Sequence, residues 1–86
     1  MKRQLIFSDE AWEDYLYWQA TDRAMLRRIH ELIKDIKRTP YQGIGKPEPL
    51  KHQLSGWWSR RIDGEHRFVY RIVEEAIQVA SLRYHY

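Results

Sequence analysis

The chain is expected to fold as an α+β domain in which two N-terminal helices pack on one face of a mainly antiparallel sheet of four to five strands. Three observations predict this. Residues 9–38 repeat their apolar side chains at three- and four-residue spacing, the period of an amphipathic helix. Residues 57–83 change to aromatic and β-branched runs with Asp63-Gly64 between the first two, the pattern of a strand meander. Helices grouped ahead of strands are the order of an α+β domain rather than of a doubly wound one.

A short strand over residues 2–7 precedes Ser8, a plausible helix N-cap followed by Asp9 and Glu10 in the first turn. The first helix runs to about Gln19, with Ala11, Trp12, Tyr15, Leu16 and Trp18 or Gln19 on its apolar side. Thr21 or Asp22 can cap a second helix, whose stripe Met25, Leu26, Ile29, Leu32, Ile33 and Ile36 has a clear 3.6-residue period. Its outer face is basic while the first helix is acidic at Asp9, Glu10, Glu13 and Asp14, so a helical hairpin would bring complementary surfaces together. Thr39-Pro40 ends that helix, because the residue before proline is pushed out of the helical region. A Gly- and Pro-rich loop, Tyr41 to Pro49, follows. Strands are then expected over residues 57–62, 65–73 and 76–83.

Composition bounds what such a fold can do. The 86 residues make one domain, residues 1–86, which at this size buries only about 60–65% of its unfolded surface and would gain from dimerisation or a tight complex. There is no cysteine, hence no disulfide framework and no thiolate zinc site, and the four histidines show no ligand spacing on one element, so no metal or other cofactor is expected. The apolar part of M-K-R-Q-L-I-F is too short for a signal peptide and no run reaches membrane-spanning length, which points to a cytoplasmic protein without a membrane partner. Charge is uneven: residues 46–71 carry six Lys/Arg against three Asp/Glu and hold the excess that gives the chain its net +3. A local basic excess on a small domain favours an anionic partner such as nucleic acid.

Side-chain alternation sorts the sheet into two faces. Phe68, Tyr70 and Ile72 are uniformly apolar and should meet the helices, joined by Ala80 and Leu82 on the last strand. Val79, Ser81, Arg83 and His85 would lie on the other side. A two-residue Asp63-Gly64 loop pairs Arg60 with Arg67, whereas a three-residue loop puts Arg61 on the face of Arg67. In both cases two guanidiniums converge, which is costly unless an anion sits between them.

RNA can be cleaved without metal when a base removes the 2′-hydroxyl proton, cations stabilise the crowded phosphorane, and an acid protonates the leaving 5′-oxygen. Glu48, held between Pro47 and Pro49, suits the first role; Arg61, Arg67 and Lys51 suit the second; His85 suits the third. Taken singly, Glu48 reads rather as a solvated loop carboxylate and His85 rather as a histidine in a frayed tail, so the set carries the argument.

Six stretches give the chain a family resemblance: S-x-x-x-W-E-D-Y-L-Y-W-Q from Ser8, I-x-E-L-I-K-D-I-K-R-T-P from Ile29, G-K-P-E-P-L-K-H from Gly45, L-S-G-W-W-S-R-R-I from Leu54, E-H-R-F-V-Y from Glu65, and the closing R-Y-H-Y. Over essentially its whole length it resembles the YoeB family of toxin-antitoxin messenger-RNA interferases, within the RelE superfamily and its microbial-ribonuclease-like fold. The resemblance implies a ribonuclease that cuts message in the ribosomal A site, with Glu48 as general base, His85 as general acid and Arg67 as transition-state stabiliser. It likewise implies that Lys51 and Arg61 contact phosphate or substrate and that Tyr86 positions a base. A homodimer is implied, and a cognate YefM-like antitoxin with an acidic segment that folds on the toxin. Arg3, Gln4 and Trp57 fall where small changes should be tolerated. Two other classes compete: a gyrase-inhibiting superfamily relative and a non-enzymatic RNA-binding or repressor module, neither of which needs a placed acid and base.

Overall fold

The structure is a computed structural model and describes residues 3–84. Strand β1 (Gln4–Phe7) leads into helix α1 (Asp9–Thr21), helix α2 (Arg23–Arg38), a loop, the short strand β2 (Glu48–Pro49), a 3-10 turn (His52–Leu54), and strands β3 (Trp58–Arg61), β4 (Arg67–Val73) and β5 (Ala76–Ser81). Ser8 caps α1 as expected, its Oγ accepting from the Ala11 N–H at 3.0 Å while its hydroxyl donates to the Ala80 carbonyl at 2.8 Å. Asp22 serves both helices. Its own N–H closes the last turn of α1 onto the Trp18 carbonyl, and its carboxylate accepts from the Ala24 and Met25 N–H groups that open α2. One residue therefore turns the chain and fixes the helical hairpin.

The sheet has the order β1-β5-β4-β3-β2, with β1 parallel to β5 and every other pair antiparallel. Both helices lie on one face. Ala11 and Trp18 of α1 and Met25, Ile29, Leu32 and Ile36 of α2 pack against Ile62, Phe68, Tyr70, Ile77, Val79 and Leu82. The α+β expectation is thus met with five strands, and the strand that sequence alone leaves inside the loop is β2, two residues long and paired to β3.

Three expectations are corrected. Trp12 and Leu16 do not enter the core; Trp12 is 50% exposed, and the α1 residues that are buried are Ala11, Asp14 and Trp18. Val79, expected on the open face, is in the core, because the β4–β5 register shifts from Tyr70↔Val79 to Val69↔Ser81. That step skips Ala80, so alternation restarts one residue later: Ile77, Val79 and Leu82 all point to the helices although their numbers differ in parity. Arg83, also expected on the open face, instead lies with its guanidinium 3.7 Å from the centre of the Tyr17 ring on α1. Two ion pairs of α2 run along that helix, Arg28 to Glu31 and Arg38 to Asp35, a third joins Asp35 to Arg60 of β3, and among the described residues none joins α1 to α2.

Candidate active site

The helix-free face of β3 and β4 is set by the turn that joins them. Ile62 N–H donates to His66 O at 2.9 Å, leaving three residues in the loop, so Arg61 stands opposite Arg67 and Arg60 opposite Phe68. The Asp63 carboxylate rigidifies this turn by accepting from the Glu65 and His66 N–H groups at 2.8 and 2.7 Å. Burial pushes its pKa up, but those two N–H groups, with the charges of His66 and Arg67, outweigh it and hold the carboxyl below its ordinary range. Arg67 is tied to the same turn through Nη1, which donates to the carbonyls of Asp63 and His66. Arg61 is exposed.

Glu48 joins this face through register. It pairs with Ser59, which pairs with Val69, which pairs with Ser81, so the carboxylate heads a row running across four strands. Ser59, Val69 and Ser81 are short and buried, and they form a low floor beside the Arg61–Arg67 pair two residues along. Cross-strand diagonals put the Glu48 and Arg61 Cβ atoms about 7–8 Å apart, within reach of a single phosphodiester between the two side chains. Lys51 is exposed just beyond β2, at the start of the 3-10 turn.

The loop that leads to Glu48 is fixed by Arg60, which sequence reasoning considered only as an alternative to Arg61. Its side chain is fully buried. Nη1 pairs with Asp35 of α2 and donates to Ile44 O; Nη2 donates to Thr39 O and Gln42 O, both at 2.7 Å; Nε donates to the Tyr70 hydroxyl at 3.2 Å. Tyr70 in turn donates to Pro40 O at 2.6 Å, and Asp35 accepts from Ile44 N–H at 3.0 Å. The loop before β2 is thus wound around one guanidinium. Gly43, at φ +120°, passes so close to the Asp35 carboxylate that a Cβ would collide with it. The hydrogen bond from Arg60, assisted by the N–H of Ile44 and the Arg60 and Arg38 charges, lowers the Asp35 pKa against the opposing effect of burial, while burial raises that of Tyr70. The sequence signal was an acid, Asp35, three residues beyond Leu32 in the buried stripe of α2, which demands a buried cation as partner.

A second clamp directs the end of the chain. Leu82 is gripped from α1 on both sides of its peptide: Asp14 accepts from its N–H and Trp18 Nε1 donates to its carbonyl, each at 2.9 Å. Tyr84 is then tied to the hairpin, its N–H donating to His66 Nδ1 and its carbonyl accepting from Arg67 N–H, both at 2.8 Å. The chain is delivered beside Arg67. His85 and Tyr86, assigned from sequence as acid and base-positioning aromatic, lie outside the described residues. Of the other assigned residues, Glu48, Arg61 and Arg67 share one face by register.

Residues 7–86 match the model of the YoeB-like toxins of bacterial type II toxin-antitoxin systems. The chain is 59% identical over 83 residues to the toxin YoeB of Escherichia coli K12, covering 96% of this chain and 99% of that one. Among solved structures it is similar to a YoeB dimer from Staphylococcus aureus at TM-score 0.94 and 47% identity, each chain covered completely. It is equally close in sequence, at 47% and TM-score 0.91 with full coverage of both, to the toxin of a heterotetrameric YoeB-YefM toxin-antitoxin complex from the same organism. A buried arginine organising a proline-flanked glutamate, an opposed arginine pair and a family match over almost all of the chain lead to one conclusion: this chain belongs to the YoeB-like toxins of bacterial type II toxin-antitoxin systems.

Proposed function

We propose that this toxin is a ribosome-dependent endoribonuclease that cleaves messenger RNA in the A site and so stops translation. The observation that carries this reading is the register that sets Glu48 and the Arg61–Arg67 pair on one helix-free face. Glu48 takes the proton of a 2′-hydroxyl, whose oxygen attacks the adjacent phosphorus. Arg67, with Arg61 and Lys51, stabilises the charge that builds on the phosphorane oxygens. His85 gives a proton to the departing 5′-oxygen, leaving a 2′,3′-cyclic phosphate and a 5′-hydroxyl, and Tyr86 positions a base. These steps draw on side chains alone and call for no cofactor.

The proposed partners are the ribosome and its message, a YefM-like antitoxin, and a second copy of the chain. An acidic antitoxin segment that folds on the arginine face would cover it and add charge complementarity. Primer extension on a translated message, with wild type and His85→Ala, tests the activity. Message cut by wild type only on ribosomes, and spared by the variant, is expected; intact message with wild type bound to translating ribosomes rules the nuclease out. Cleavage that persists in His85→Ala would remove His85 as the acid. Light scattering at micromolar concentration is expected to give the mass of a dimer.

A further inference from the structure

The face that carries Glu48 continues past it into a cluster the catalytic reading leaves unused. Arg71 lies on β4 two residues beyond Val69 and pairs with Gln78 on β5. Its guanidinium sits 4.4 Å from the centre of the Trp57 ring, and its Nε donates to Gln78 Oε1 at 2.7 Å. Trp57 extends β3 by one residue, its carbonyl accepting from Leu50 N–H at 2.9 Å, so its side chain falls on the same face as Ser59 and Arg61. All three side chains are partly exposed. The sheet face therefore has three rows: Arg61–Arg67, the low floor of Ser59, Val69 and Ser81, and Trp57–Arg71–Gln78. Arg71 and Arg67 are four residues apart on β4, about 13 Å at the usual rise of a strand.

We propose that Trp57 and Arg71 form a stacking subsite for an unpaired RNA base a short distance along the strand from the scissile phosphate. The inference rests on the nuclease reading and extends it. An indole capped by a guanidinium is a flat cationic surface, the kind on which splayed single-stranded bases stack. Gln78 holds Arg71 through a neutral acceptor, and among the described residues no carboxylate is ion-paired with it, so its charge is available to the RNA backbone. Gln78 retains an amide N–H pair with which a base edge can be read.

The test compares Trp57→Ala, Trp57→Phe and Arg71→Gln with wild type in two assays. In cleavage of message on translating ribosomes, Trp57→Ala should raise KM about tenfold, the effect of losing one stacked base, with a smaller fall in kcat. Trp57→Phe should recover most of that loss, and preference for the base beside the cut site should weaken in Trp57→Ala and Arg71→Gln. In the second assay, Glu48→Gln protein binds a fluorescent single-stranded RNA hexamer, and adding Trp57→Ala should weaken binding by a similar factor. Variants that match wild type in KM, base preference and RNA affinity overturn the subsite. It is equally overturned if Trp57→Ala spares RNA binding and weakens only binding of an acidic antitoxin peptide. Should wild type leave ribosome-bound message intact, the nuclease reading fails, and the hexamer assay alone then decides the subsite.

Discussion

Asp35 and Arg60 show how much a single residue pair can control in an 86-residue chain. All three guanidinium nitrogens of Arg60 have partners, so truncating either member strands a buried charge. Asp35→Asn is expected to cost about 3–5 kcal/mol in urea unfolding, the usual penalty for breaking a buried pair from one side. It should also change the response to acid. Because the folded-state pKa of Asp35 lies below its ordinary 3.8, its stabilisation is complete above that value and is lost as pH falls through the lowered one. Wild type should therefore lose stability below about pH 4 more steeply than Asp35→Asn does. Gly43→Ala tests the same loop from the backbone side. Its φ of +120° and the collision with Asp35 predict a loss of about 1–3 kcal/mol, and ribosomal cleavage should fall further than the folded fraction does because Glu48 is displaced.

At the level of elements, α1 acts as a clamp as well as a core helix. Ser8 starts it and ties it to Ala80; Asp14 and Trp18 hold Leu82. Ser8→Ala is expected to cost about 1–2 kcal/mol for the lost cap and the lost link to β5, seen as a fall in Tm of roughly 4–8 °C per kcal/mol. Asp14→Ala removes the acceptor of a buried N–H, for about 1–3 kcal/mol, and releases the segment that leads to His85. Cleavage should suffer more than stability, and a double substitution with His85→Ala should add little further loss, since both act through the same proposed acid. The shift of register at Ala80 belongs here too: it lets one strand place Val79 and Leu82 in the core while turning Ser81 to the site.

Across the whole molecule the division is between a helix-covered face that supplies stability and an open face that gathers arginines. Proposed binding to ribosomal RNA through that face should weaken steeply as salt rises, measured as a log-log slope of several, and Arg61→Gln should lower the slope by about one. A chain ending at Tyr84 keeps every core residue named above, so its helical circular dichroism should be that of the full chain while cleavage is lost.

The two helices, the β3–β4 hairpin and the helix-facing side of β4 were legible in the sequence, because periodicity and turn residues act over a few positions; the facing of the last strand was not, since alternation put Val79 and Arg83 on the wrong side. So was the set Glu48, Arg61 and Arg67 as a chemical possibility, by residue type and by resemblance. Only the tertiary structure decided that the Asp63 loop has three residues, and hence that Arg61 faces the site while Arg60 is buried. It alone showed that Trp12 stays outside the core and that Asp14, which reads as part of an acidic helix face, and Asp35 are buried partners of distant groups. The physical reason is common to these cases. Register, bulges and buried polar pairs are settled by which groups meet across 25 to 68 residues of chain, and a local pattern holds no record of that distance.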